Sequence, residues 1–138
     1  MKRLDDWPTL LDAFFAERWE RPFVWGENDC CLFAADAVLA MTGVDLARNF
    51  RGRYDDARGA IEAMHGMPVG EIADYLTRSY GCREEAPLFA QRGDVALLGK
   101  RGREVLGVVC LDGMEVLAPG VDCLARAPIA DVIRAWRI

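Results

Sequence analysis

The sequence predicts an α+β domain in which N-terminal helices pack on one face of a C-terminal antiparallel sheet. The first half of the chain reads as helical segments bounded by capping and breaking residues. After Pro87 the apolar pattern changes to short β-type runs separated by Gly, Asp and Pro. Between two of these runs, Asp112-Gly113 is typical of a two-residue hairpin turn.

The predicted helices follow from capping residues, apolar spacing and stops. The first begins near Asp6 and Pro8 and runs to about Trp19, and a closing helix with its apolar face on the sheet is expected at the C-terminus. The second is apolar almost all round, with Asp36 as its sole charge, so we expect it in the core. The later helices are expected over residues 30–41, 54–65, 69–80 and 128–136, and the strands over 93–98, 105–111, 114–117 and 121–125.

Composition favours one globular domain, residues 1–138, and argues against nucleic-acid partners. The chain has 138 residues, 52% of them hydrophobic, which fits a single core. Its 17 basic and 22 acidic residues give a formal charge of -5. A protein that binds DNA, RNA or an anionic membrane is expected to carry the opposite sign of charge. The basic runs at 51–53 and 100–103 contain glycine and are interpreted as solvated turns.

No apolar stretch predicts membrane insertion or a signal peptide, so we expect synthesis in the bacterial cytoplasm. The five cysteines include no C-x-x-C pair, which predicts reduced thiols, no metal site and no cofactor. Three of them are interpreted as small apolar fillers: Cys82, Cys110 and Cys123.

The candidate for chemistry is Cys30, at the predicted start of the second helix. The positive end of a helix dipole stabilises a thiolate, and the first backbone N–H groups can stabilise an oxyanion. Asp29 is the expected N-cap. Trp25, Asn28 and Asp29 are candidate binding residues beside the thiol.

The stretch Pro22-Phe23-Val24-Trp25-Gly26-Glu27-Asn28-Asp29-Cys30-Cys31-Leu32-Phe33 resembles the nucleophile motif of the NlpC/P60 cysteine peptidases, a papain-like family. The resemblance places Cys30 at the nucleophile position, with Cys31 where the family usually has serine. It implies a papain-like fold of the NlpC/P60 type for most of the chain.

A second match lies in the predicted strands, where Gly93-Asp94-Val95 and Leu106-Gly107-Val108-Val109 resemble the family's Gly-Asp-Leu and His-Val-Gly-Ile-Tyr openings. The resemblance sets Val105 at the family's histidine position and Leu117 at its third polar position. Neither side chain can accept a proton or orient a base, so hydrolysis is not expected.

The segments Trp25 to Asp36 and Ala135-Trp136-Arg137 are also similar to small phage and prophage proteins encoded among tail genes. This likeness implies a tail-tip component that is catalytically silent, acts in assembly and has other tail proteins as partners. Its location would then be a phage-like particle.

Two other functions stay open. An active cysteine hydrolase cutting peptidoglycan stem peptides would need a base from His65 or from a partner, although His65 is more simply a helix C-terminal residue. A binding module could hold cell-wall peptide without cutting it. The tryptophans could anchor such an interface, or simply fill the core and its rim.

Overall fold

The structure is a computed structural model that describes residues 1–100 and 103–138, and only the backbone of Lys100. The predicted basic turn at 100–103 is therefore centred outside the described residues. Four helices come first in the chain: α1 (Trp7–Arg18), α2 (Cys30–Thr42), α3 (Ala57–Ala63) and α4 (Val69–Ser79). Six strands follow: β1 (Arg83–Glu85), β2 (Val95–Lys100), β3 (Arg103–Val109), β4 (Glu115–Pro119), β5 (Leu124–Pro128) and β6 (Val132–Arg137).

The strands form one antiparallel sheet in the order β1-β6-β2-β3-β4-β5. The run from β2 to β5 is a meander of sequential hairpins, whereas β6 returns to lie between β1 and β2. Val95 of β2 is opposite Trp136 of β6, and Ala96 is opposite Ala135. The predicted α+β class, with helices before an antiparallel sheet, is confirmed.

The predicted closing helix over residues 128–136 is wrong. A single turn of 3-10 helix, Ile129–Asp131, is followed by the internal strand β6. A helix there would leave the free edge of β2 without backbone partners, and the β-branched pair Val132-Ile133 suits a strand. β1 was not predicted either, because three charged residues, Arg83-Glu84-Glu85, carry no β pattern.

The third helix is shorter than predicted. It begins after Asp56, whose side chain accepts the Gly59 N–H, so that Tyr54 lies outside the helix and its side chain is free to reach the core. The cysteines outside the Cys30 motif were expected to fill the interior as small apolar residues. This holds for Cys82, which is buried, but not for Cys123, which is exposed in the turn before β5.

The core lies between the sheet and the central helix α2, as the apolar run predicted. Phe33, Val38 and Met41 of α2 are fully buried, in one cluster with residues from one face of the sheet. α1 covers α2 through the rings of Phe14 and Phe15, which contact Phe33. The opposite face of the sheet carries a smaller apolar cluster: Ala96, Leu98, Val109, Val116, Val132 and Ala135.

Two carboxylates, Asp36 and the buried Asp94, tie distant segments together. Asp36, the one charge of α2, pairs with Arg18 of α1 at 2.8 Å and with Arg51 of the connection after α2. Asp94, which is 0% exposed, binds Arg3 at 2.8 Å and Arg137 at 3.0 Å, and burial raises its pKa. The two networks fix both chain termini and the connection that leads to Tyr54.

Among the described residues, no helix has the length and apolar character needed to cross a bilayer.

Candidate functional site

Asp29 determines where the central helix begins. Its backbone is extended (φ -82°, ψ 170°), and its Oδ1 accepts the N–H groups of Cys31 at 3.1 Å and Leu32 at 3.0 Å. This is the geometry of an aspartate N-cap. Cys30 is therefore the first residue of α2, as the sequence predicted.

The second oxygen of Asp29 joins three segments. Its Oδ2 accepts the Gly26 N–H at 3.0 Å and the Tyr54 hydroxyl at 2.7 Å. Burial and this carboxylate both raise the pKa of the Tyr54 phenol, which keeps it protonated as a donor. One buried carboxylate thus holds the loop before α2, the helix itself and the connection after it.

The loop before α2 leaves no room for a side chain at its turn. Gly26 has φ +75°, and a Cβ atom on it would lie 2.0 Å from the carbonyl oxygen of Tyr54. Asn28 is buried, and its Oδ1 accepts from Arg18 at 3.1 Å while its Nδ2 donates to the Pro22 carbonyl at 3.0 Å. Asn28 therefore clamps the loop to α1 and does not line the cleft described next.

A cleft of about 320 Å³ opens beside the Cys30 thiol. Trp25, 39% exposed, forms part of its rim and packs edge-on against Phe23. The remaining walls come from the region of α3, the start of α4 and the ends of β3 and β4, and they are mostly apolar: Ala57, Ala60, Ile61, Met64, Met67, Val69, Val105 and Pro119. Of the predicted binding residues, Trp25 and Asp29 line this cleft.

The thiols of Cys30 and Cys31 affect each other's titration. The neighbouring Cys31 thiol lowers the pKa of Cys30, burial opposes the shift, and the Leu106 backbone adds to the lowering. The Cys30 thiol and burial raise the pKa of Cys31 well above its usual value. Of the two thiols, Cys30 is therefore the more readily deprotonated.

The helix start offers fewer free donors than the sequence suggested. The N–H groups of Cys31 and Leu32 both donate to Asp29, so they are not available to an oxyanion. Within residues 1–100 and 103–138, the Cys30 N–H makes no hydrogen bond to another residue. One backbone donor therefore remains for a carbonyl oxygen at the thiol.

Val105 and Leu117 lie in different surroundings. Val105, at the position that the resemblance assigns to histidine, is 36% exposed and lines the cleft with Cys30. Leu117 is 5% exposed, opposite Val108 in the sheet, and belongs to the main core. Neither can take a proton from the thiol.

His65 does not substitute as a base. It follows α3 with a positive φ of 53°, it is exposed, and it does not line the cleft, although its neighbours Met64 and Met67 do. Since it is the chain's one histidine, no imidazole contributes to the cleft. In the described part of the chain, no group of three or more His, Cys, Asp or Glu side chains could hold a metal ion.

Sequence reasoning missed Tyr54, the Leu106 backbone and the wall formed by Met64 and Met67. Tyr54 reaches Asp29 across 25 residues, and no local pattern indicates that contact. The adjacent cysteines were visible in the sequence, but the burial that contributes to their pKa shifts depends on how the chain packs around the start of α2.

The sequence matches a family over residues 2–138, described as "Domain of unknown function (DUF6950)". The chain belongs to the DUF6950 family. A comparison with curated proteins finds no match. The fold of this DUF6950 chain is similar to that of a solved structure titled "Crystal structure of NlpC/p60 domain of peptidoglycan hydrolase SagA", with a TM-score of 0.59 and 17% sequence identity.

That similarity extends over 95% of the DUF6950 chain and 98% of the solved one. The predicted NlpC/P60-type fold is therefore confirmed. At this sequence identity the likeness concerns the fold alone, so the chemistry of the DUF6950 site is argued from its own residues.

Replacing Asp29 with alanine should destabilise the DUF6950 fold by roughly 2–4 kcal/mol, because a helix cap is lost and the buried Tyr54 hydroxyl loses its acceptor. The matched control is Asp56→Ala at the exposed N-cap of α3, where only the Gly59 N–H is affected. The control should cost about 1 kcal/mol or less. Urea unfolding measures both, and equal losses would contradict the proposed role of Asp29.

Proposed function

We propose that this DUF6950 chain is a non-hydrolytic NlpC/P60-type domain that acts through protein interaction in the tail of a phage or prophage. The observation that carries the non-hydrolytic part is Val105, an aliphatic side chain lining the same cleft as Cys30. Cell-wall peptide held without cleavage is the second candidate, favoured by the open cleft.

Amide hydrolysis needs proton transfers that this cleft does not support. A thiolate that attacks an amide must have its leaving nitrogen protonated, and water must then be deprotonated to release the acyl group. An imidazole normally does both. In the part of the chain that the structure describes, the ionisable groups lining the cleft, apart from the thiols, are Glu104 and the Asp29 carboxylate, and Asp29 already accepts four hydrogen bonds.

The lowered pKa of Cys30 favours hydrolysis, because a cysteine hydrolase also requires a thiol that loses its proton readily. A reactive thiol alone is insufficient, because it supplies the nucleophile and neither proton transfer. We therefore retain active peptidoglycan hydrolysis only as the outcome that would overturn the proposal.

Support for an interaction role comes from the rim of the cleft. Trp25 and Ile61 are exposed beside the apolar walls, and large aromatic side chains at the edge of a pocket are typical interface anchors. The tail context is supported by the sequence likeness of residues 25–36 and 135–137. Trp136 within that likeness is fully buried and donates to Asp74 at 3.3 Å, so it contributes to the fold.

Incubation with peptidoglycan sacculi and with a disaccharide-tetrapeptide should give the same products for the native chain and for Cys30→Ala. Mass spectrometry of the soluble fraction measures this, because the alanine variant defines the background of any co-purified hydrolase. A stem-peptide fragment present with the native chain and absent with Cys30→Ala would show that Cys30 cleaves. Calorimetric binding of the muropeptide without cleavage would favour the second candidate.

Phage particles from a culture in which the prophage has been induced, purified by density gradient, should contain the chain together with tail proteins. Trp25→Ala should reduce its incorporation by about tenfold or more if Trp25 anchors the interface. Trp19→Ala is the matched control, because Trp19 is 37% exposed but lies away from the cleft. Quantitative mass spectrometry measures both. Absence of the native chain from the particles would contradict the tail role.

A further inference from the structure

The surroundings of Cys30 restrict the electrophiles that it can use. The cleft has no imidazole, and among the described residues its ionisable lining besides the thiols consists of the Asp29 and Glu104 carboxylates, so we expect the leaving group to depart without being protonated. An amine cannot do so, whereas the thiolate of a thioester can, since its basicity is close to that of the attacking cysteine. Thioesters are therefore the acyl donors suited to this site.

The helix start supplies what a thioester carbonyl needs. The free N–H of Cys30 can donate to the carbonyl oxygen as negative charge develops, and the N-terminal end of α2 stabilises that charge. The neighbouring Cys31 thiol lowers the pKa of Cys30, which favours its thiolate form. The free N–H and the helix end assist attack on a carbonyl carbon without a histidine.

The cleft matches an uncharged acyl chain better than a peptide. Ile61, Met64, Met67, Val69 and Val105 contribute hydrocarbon walls, and the lining side chains among residues 1–99 and 103–138 include no cation to bind a carboxylate. Its volume of about 320 Å³ lies at the lower end of the range for small-molecule sites, which suits a medium-length chain. Burial of each methylene favours the longer donor over an acetyl group.

We propose that Cys30 accepts an acyl group from a thioester and holds the acyl chain in the apolar cleft. The Cys30 sulfur forms a bond to the carbonyl carbon, the donor's carbon–sulfur bond breaks, and the donor leaves as a thiolate. The proton released by the Cys30 thiol ends on the donor thiol through solvent, and nothing is oxidised or reduced. Since water is not activated in the cleft, the acyl-Cys30 thioester persists.

This inference goes beyond the proposed function and does not require the tail role. Acylation of Cys30 could fail while the chain still assembles into particles, and the reverse is also possible. The two experiments therefore report separately.

The test uses acetyl, octanoyl and palmitoyl thioesters of N-acetylcysteamine with the native chain at neutral pH. Intact-mass and peptide-mapping mass spectrometry should show one octanoyl group on Cys30, removable by neutral hydroxylamine. Octanoyl transfer should be at least about tenfold faster than acetyl transfer, because the cleft buries the added methylenes. The exposed Cys123 is the internal reference for uncatalysed acylation.

Ile61→Glu should remove the chain-length preference, because Ile61 is 63% exposed and its charge would enter the rim without disturbing the core. Ile133→Glu, an exposed isoleucine on β6 outside this cleft, should keep the preference. No adduct, equal acylation of Cys30 and Cys123, or octanoyl and acetyl transfer at equal rates would each overturn the proposal.

Discussion

The Asp29 carboxylate is the interaction on which the site depends. It accepts four hydrogen bonds, from the loop at Gly26, from the first turn of α2 and from Tyr54. Three of these bonds are local and the one from Tyr54 spans 25 residues, so one buried side chain sets the start of the helix and the shape of the loop and ties both to the later connection. The position of Cys30 follows from that arrangement, and so does the loss of two helix N–H groups that could otherwise have faced a substrate.

The same framework positions a cysteine as a nucleophile would be positioned, but it does not provide the imidazole that a hydrolase uses for its proton transfers. The thiol lies at a helix N-terminus, where the Cys31 thiol and the Leu106 backbone lower its pKa. Val105 presents a hydrocarbon surface where a base would be required. In the function that we propose, this NlpC/P60-type fold keeps a cysteine with a lowered pKa but does not cleave amides, and the apolar cleft beside it serves binding.

Local features were predictable from the sequence, and long-range pairings were not. Asp29 as N-cap, the buried α2 and the strand change after Pro87 each follow from capping or periodicity within a few residues. The closing segment, residues 128–136, was misassigned because its apolar spacing fits a helix. It forms β6 instead, because it pairs with the edge of β2, which lies more than 30 residues away in sequence. Tyr54 and the cleft wall at Met64 depend on how the connection after α2 folds back, which no local pattern encodes.

The most direct measurement is the pH profile of Cys30 alkylation by iodoacetamide, resolved from Cys31 by peptide mapping. A thiol without a base should give one inflection, at lower pH than an ordinary cysteine, and Cys31→Ala should move it to higher pH because the Cys31 thiol lowers the pKa of Cys30. Val105→His provides a reference profile with an imidazole in the cleft. A native profile with a second inflection that persists in Cys31→Ala, the signature of a thiolate paired with another titrating group, would contradict the account.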